Sequence, residues 1–241
     1  MVVSGRSPSG TLFAVFLPRS SARESTNRWR SELHLSKWVV EQEAERKRLF
    51  TLLVVSLRMK MTVVVFMFKI DFKNAFNTIH RDKLLDLVRE VLPNYHSFVW
   101  QCYRFPSRLI YGQHILASAR GVQQGDPLGP MPFCLAIEVL TNKLTSPLNL
   151  GYLDDGTIGG DCSKVLADFC TLISEGIRIG LQLNPSKTEL SLQGGTAGER
   201  ESIRRAFSLV CPGIISPFRA ELTLLGAPLL QEASEPAIEE K

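Results

Sequence analysis

The chain has 241 residues, 44% of them hydrophobic, which suffices for a buried core in one large domain or two small ones. Its net charge of +4 is unevenly spread: residues 1–70 are markedly basic and the remainder is mildly acidic, which suits a polyanionic partner or a solvated basic arm. The five cysteines are never spaced C-x-x-C, so neither a disulfide framework nor a zinc site is indicated, and a reducing intracellular compartment is favoured.

Residues 1–30 are rich in Ser, Arg, Pro and Gly without periodicity and predict a disordered basic leader. The apolar run 11–17 is short and no small-residue cleavage site follows, so no signal peptide is expected. Residues 31–50 read as a helix with an exposed charged stretch at 41–48. Residues 49–70 approach a membrane span in composition, but Arg58 and Lys60 sit in the middle, each costing roughly 3 kcal/mol in a bilayer. No transmembrane segment is expected.

The β-branched and aromatic run 63–70 predicts a buried strand ending at Asp71. Residues 81–92 place Leu84, Leu85, Val88 and Val91 on one helical face, with Pro93 as the stop. The Gly/Pro-rich turn 125–130 launches a helix over 131–144. Tyr152, Leu153, Asp154 and Asp155, followed by Gly156, Gly159 and Gly160, read as a tight hairpin between two short strands. Ser163 is the expected N-cap of a helix reaching Ile179 and closed by Gly180. Residues 181–192 read as a strand pair or strand-turn-strand around Asn184-Pro185, 196–210 as an amphipathic helix, and 221–230 as a short strand and turn. An acidic tail, 231–241, follows. Strands and helices mix without strict alternation, so the expected class is α+β.

Three segments can carry chemistry. Asp154 and Asp155 are like charges side by side, tolerable when water solvates them or a cation neutralises them; a solvated Asp-Asp-Gly turn is the plain alternative. Asp71 closes a buried strand, which is costly unless its charge is compensated. Pairing of strand and hairpin in one sheet would bring Asp71 and Asp154 together to hold one or two Mg²⁺ ions, an arrangement suited to phosphoryl transfer. Gly121-Val122-Gln123-Gln124-Gly125-Asp126-Pro127-Leu128-Gly129-Pro130 forms a rigid turn that a ligand can approach closely. The Gln124 amide there can bond a sugar or a base edge, although a helix-entry loop has the same composition. Lys187, after the turn at Asn184-Pro185, can reach a phosphate and donate a proton, or simply be a surface lysine.

In their order and content, DFKNAF (71–76), GVQQGDPLGP (121–130), GYLDD (151–155) and GLQLNPSKTEL (180–190) resemble the palm of reverse transcriptases, most closely those of non-LTR retrotransposons. Leu224-Leu225-Gly226 resembles the primer-grip turn. The resemblance spans 63–230 and implies a right-hand polymerase palm, an antiparallel sheet backed by helices. Residues 31–62 would be a remnant or divergent fingers-like segment, since no fingers motif matches there, and no thumb, endonuclease or RNase H region is expected. The resemblance further implies two Mg²⁺ ions (Mn²⁺ being possible) on Asp71, Asp154 and Asp155, with the Phe72 backbone carbonyl completing one shell. Phe76 would be the aromatic gate against a ribose 2′-hydroxyl. Gln124 and Gly125 would line the nucleotide pocket, Tyr152 would pack beside the primer end, and Lys187 would be the general acid.

The implied activity is RNA-directed DNA synthesis on a primer 3′-hydroxyl, with an RNA template, a DNA primer and dNTPs as partners, in nucleus or cytoplasm. The competing expectation is a truncated, catalytically silent fragment that binds nucleic acid weakly. A Mg²⁺-dependent phosphohydrolase on another fold is the remaining one.

Overall fold

A computed structural model describes residues 2–6, 12–16, 39–40, 65–218, 221–224 and 227–228. Its central strand is β4 (Val65–Ile70), whose bulky side chains suit a strand covered by neighbours on both edges. Along the chain, β1 (Val2–Arg6), β2 (Leu12–Phe16) and β3 (Val39–Val40) precede it; β7 (Leu148–Tyr152), β8 (Asp155–Gly160) and β9 (Glu189–Gln193) follow. The seven strands form one sheet in the order β3-β1-β2-β7-β8-β4-β9. All pairings are antiparallel except β2 with β7. Two further hairpins stand apart, β5 (Ser107–Tyr111) with β6 (His114–Ser118), and β10 (Thr223–Leu224) with β11 (Ala227–Pro228).

The helices are α1 (Ala75–Thr78), α2 (Arg81–Val91), α3 (Pro93–Tyr103), α4 (Pro130–Thr141), α5 (Cys162–Arg178) and α6 (Ala197–Val210). The core gathers Ile70 and Ile158 from the sheet, Phe133 from α4, Phe169 from α5 and Phe207 from α6, each at most 2% exposed. The Phe169 and Phe207 rings lie 5.9 Å apart and tie α6 to α5. Among the described residues no helix is long and apolar enough to cross a membrane. The mixed architecture is the α+β class expected from the sequence.

Several local expectations change. Two strands, β1 and β2, fall inside the stretch read as a disordered leader; the apolar run taken only as a rejected signal sequence supplies β2, which adds to the edge of β7. The helix expected over 31–50 lies outside the described residues apart from Val39–Val40, which is a strand. Pro93 ends α2 but also opens α3, because a proline at the first helical turn lacks only an N–H that has no partner there anyway. The cap of α5 is Asp161, not Ser163. The Asp161 carboxylate accepts from the Ser163 backbone N–H at 2.9 Å and from its hydroxyl at 2.5 Å. A carboxylate at that position also complements the helix dipole, and these hydrogen bonds hold Asp161 below the usual carboxylate range. Thr196 caps α6 with a reciprocal Glu199 capping box. Of the strand pair expected over 181–192, only β9 forms a strand; Leu183 contributes an isolated bridge to Phe72.

Asp168 fixes the approach to the β7–β8 hairpin. Its carboxylate is 3% exposed and accepts from the backbone N–H groups of Thr145 and Ser146 and from both hydroxyls. Replacing it with Ala strands the buried Ser146 N–H and hydroxyl, each costing about 1–3 kcal/mol, and frees the part-buried Thr145 donors. Asp168→Ala is therefore expected to lower the unfolding free energy by roughly 3 kcal/mol or more, measured by urea denaturation, while Asp168→Asn loses less.

Candidate active site

Asp71 follows the last residue of β4, and its position is set from two sides. The Asp71 N–H faces the buried Thr188 hydroxyl at 3.4 Å, and that hydroxyl donates to the Asn184 carbonyl at 2.8 Å. The Asp71 carbonyl accepts from the Asn184 N–H at 2.8 Å, and the Gln182 carbonyl from the Lys73 N–H at 2.7 Å. The segment 180–188 is thus laced along 71–80, which brings the Lys187 turn beside Asp71. Gly180, at φ +89°, lies against Thr78 and His80, where a Cβ would fall 2.5 Å from the imidazole. Only glycine fits this crossing.

On the opposite edge, β8 pairs with β4 so that Ile70 faces Gly156. Carried one residue further, that register sets Asp71 across from Asp155. The β7–β8 hairpin closes with Tyr152 opposite Asp155, leaving Leu153 and Asp154 at the turn. Leu153 adopts φ 53°, a left-handed conformation that costs a bulky residue about 1–3 kcal/mol. The hairpin therefore holds Asp154 at its tip at the expense of backbone strain. Glycines 156 and 151 face each other behind it, Gly156 lying against the Ile70 side chain.

Electrostatics tie the four groups together. Burial raises the Asp154 carboxyl above its ordinary range; the charge of Asp71 raises it further, whereas Lys187 opposes the shift. Asp155 is raised by burial and then by Asp154, with Asp71 adding to it and with Lys69 and Lys187 opposing. Lys69 itself pairs with Glu189 at 3.3 Å. Burial, helped by Glu138 and Asp154, pushes the Cys134 thiol up to about 12 and keeps it protonated.

Half-buried like charges with too little cationic compensation are a surface prepared for a cation. Among the described residues, no three carboxylate, imidazole or thiol side chains converge on a ready-made ion site. The donor set nonetheless fits Mg²⁺, which takes hard oxygens, commonly only one or two protein carboxylates, and fills its other positions with water and substrate phosphates.

The remaining segments frame this centre. Phe76 in α1 is stacked on Phe133 of α4, ring centroids 4.1 Å apart and planes 14° from parallel, so its orientation is fixed by the core. The glycine loop is stitched to the same turn: Val122 N–H donates to the Phe76 carbonyl at 2.7 Å and Gly121 N–H to that of Ile79 at 2.8 Å. Gln124 and Gly125 are exposed at the loop's tip, Gly125 with open space where a Cβ would be. Asp126 faces inward, its carboxylate accepting from the buried Tyr103 hydroxyl and from the Leu128 N–H at 2.9 Å. Burial and that contact hold the Tyr103 phenol protonated well above its usual range. Lys187 is exposed. Tyr152 is placed by its backbone at the end of β7. Leu224 lies in the β10–β11 hairpin; Leu225 and Gly226, the rest of the expected primer-grip turn, lie outside the described residues.

One organising residue went unread in the sequence. Arg81 is 6% exposed, donating Nε–H to the Gly121 carbonyl at 2.8 Å and Nη–H groups to the Ser118 carbonyl at 2.7 Å and hydroxyl at 3.1 Å. Its guanidinium sits 5.4 Å from the Tyr103 ring centre. The available signal was its place three and seven positions before Leu84 and Val88, on the apolar stripe of α2.

Comparisons with known proteins bear on the family and the fold. The chain is 31% identical over 161 residues to the retrovirus-related Pol polyprotein from type-1 retrotransposable element R2 of Nasonia vitripennis, covering 64% of this chain and 15% of that protein. It thus spans only a small part of its relative. Among solved structures, apo telomerase from Candida tropicalis, truncated from its C-terminal domain, superposes with a TM-score of 0.51 at 14% identity, over 74% of this chain and 42% of that one. At that identity the likeness concerns the fold alone. The profile of the family described as reverse transcriptase (RNA-dependent DNA polymerase) matches residues 35–227, most of the sequence and every segment just described. The chain belongs to the reverse transcriptase family.

Proposed function

We propose that this chain is the palm-bearing polymerase domain of a retroelement Pol protein, extending a DNA primer 3′-hydroxyl with dNTPs on an RNA template. The observation that carries the reading is the strand register that sets Asp71 across from Asp155, with Asp154 at the adjoining hairpin tip, where both hairpin carboxyls are raised by burial and by acidic neighbours and opposed by Lys187. In this reading Asp71 and Asp154 hold divalent metal, two Mg²⁺ ions with Mn²⁺ as a substitute, assisted by Asp155 and the Phe72 carbonyl. Bound metal supplies charge neutralisation for the attacking and departing oxygens. The protein's own groups do the rest. Lys187, exposed beside the carboxylates, is the proton donor to the departing pyrophosphate. Gln124 and Gly125 line the nucleotide pocket, and Tyr152 flanks the primer end. Such a domain works wherever template RNA meets DNA, in nucleus or cytoplasm.

Primer extension tests the proposal directly. Template-directed incorporation of dNTPs is the expected result. Failure of incorporation with intact RNA binding would instead make the chain a silent binding fragment. Phe76 provides a sharper readout. Its ring is stacked on the buried Phe133, so its orientation is fixed, and in this reading its other face sets the steric limit on the sugar. Phe76→Ala is expected to lower discrimination against ribonucleotides by roughly 10–100-fold, the scale of a lost steric contact of about 1–3 kcal/mol, measured as the ratio of kcat/KM for dNTP and rNTP.

A further inference from the structure

A second concavity lies on the flank of the nucleotide loop, away from the carboxylates. It is a cleft of about 550 Å³, lined by His80, Arg81, Trp100, Arg104, Phe105 and Arg120 among others. Trp100 and Phe105 are large aromatics left 41% and 66% exposed, a costly arrangement for rings that could turn inward. Arg104 is held by both of them, its guanidinium carbon 4.1 Å from the Trp100 ring centre and 4.5 Å from that of Phe105. Arg120 is exposed on the rim. Beneath them Arg81 is a buried cation satisfied only by carbonyls, a hydroxyl and the Tyr103 ring; among the described residues no carboxylate pairs with it. Asp82 is the sole acid lining the cleft, and it lies 4.0 Å from Lys83.

We infer that this cleft binds single-stranded nucleic acid, with unpaired bases on Trp100 and Phe105 and backbone phosphates on Arg104 and Arg120. Three arginines against one aspartate select a polyanion. Two exposed rings select a polyanion that also carries flat faces to stack, and bases in a duplex are already stacked on each other. The choice of nucleic acid as occupant rests on the polymerase reading above. Continuity supports it: His80 follows Phe76 by four positions and Arg120 precedes Gln124 by four, so a strand lying here runs onto the loop that would meet the nucleotide.

The test is fluorescence anisotropy of a labelled single-stranded RNA oligonucleotide, with single-stranded DNA and a blunt RNA duplex as separate arms. Phe105→Ala and Trp100→Ala leave the net charge unchanged and alter exposed side chains, so folding is retained. Each is expected to weaken single-strand binding about tenfold, the scale of one lost base stack, and Arg120→Ala to flatten its salt dependence. Arg204→Ala, a surface cation on α6, is the charge control and is expected to change nothing. Unchanged affinity in both aromatic variants, equal losses in the Arg204 control, or equal preference for the duplex would overturn the assignment. Asp154→Asn separates the two readings, because it should end primer extension and keep wild-type oligonucleotide affinity. A wild type that extends primers yet ignores the aromatic substitutions sinks the cleft alone. One that binds through the rings but extends nothing sinks the polymerase reading alone.

Discussion

Asp154→Asn is expected to reduce primer extension by on the order of 10³-fold while making the metal-free protein more stable. In the proposed reading, the first effect follows from loss of a charged metal ligand worth several kcal/mol to the reaction, at 1.36 kcal/mol per decade of rate. The second follows from the electrostatics of the site. Asp154 and Asp155 are both raised by burial and by their acidic neighbours, so the folded state binds their protons more tightly than the unfolded chain does. The contribution of these groups to stability is then most favourable at acid pH and is lost as pH rises through the folded values. At neutral pH they are a net cost, which a neutral amide removes.

Thermal unfolding in EDTA should therefore show a higher Tm for Asp154→Asn than for wild type, by about 2–4 °C for each kcal/mol recovered. Lowering the pH from neutrality into the carboxylate range should narrow the gap. Added Mg²⁺ should raise the wild-type Tm and leave the variant nearly unmoved, since only a ligand that binds the folded state stabilises it. A variant less stable than wild type without metal would sink this account of the site.

Gly121→Ala should be the most damaging single substitution outside the core. The added Cβ would stand 2.2 Å from the Phe76 carbonyl oxygen and 2.4 Å from the Asn77 Cα, at a φ of +69° that L-residues rarely adopt. These obstacles are backbone atoms, so no side chain can swing away. The loop must instead part from α1, breaking the Gly121 and Val122 hydrogen bonds to Ile79 and Phe76 and displacing an acceptor of Arg81. A loss of about 4 kcal/mol or more is expected, read from urea denaturation. Where the variant still folds, KM for dNTP should rise more than kcat falls, because the tip at Gln124 and Gly125 is displaced while the carboxylates stay in place. Gly125→Ala, with open space around its Cβ position, is the matched control and should cost far less.

The parts of the fold legible in the sequence were those with a local cause. The run ending at Ile70 is β-branched and aromatic, α2 and α5 carry apolar stripes, and Tyr152 to Gly156 combines acids with glycine at a turn. Each pattern is complete within one element, and each element was found. The acids at 71, 154 and 155 were legible as a candidate site, although their meeting depends on β4 pairing with β8. What escaped was settled by partners far along the chain. The β5–β6 hairpin has ordinary side chains, and it is Arg81, 37 positions before Ser118, that pins its end. Asp168 lies inside the helix expected from Ser163 to Ile179 with nothing local to mark it, yet it organises Thr145 and Ser146 from 23 and 22 positions away. Pro93 is both stop and start, and the second role shows only once α3 packs on α2. The capping choice between Asp161 and Ser163 was a matter of two residues, within the range over which helix ends are hard to place.

The lacing of Asp71 to Thr188 has a consequence for the order in which the site is made. The two residues are 117 positions apart, and β4 takes its other neighbour, β8, from about ninety positions downstream. Neither edge of β4 can be satisfied by nearby chain, so the strand must wait. During synthesis the β7–β8 hairpin can close as soon as it emerges, whereas Asp71 gains its final surroundings only when β9 has left the ribosome. Closing so long a loop is paid in chain entropy before any contact rewards it, which places this step late and makes it slow. The carboxylate centre thus comes into being well after its aspartates are made, and a chain interrupted before Gln193 would carry them unassembled.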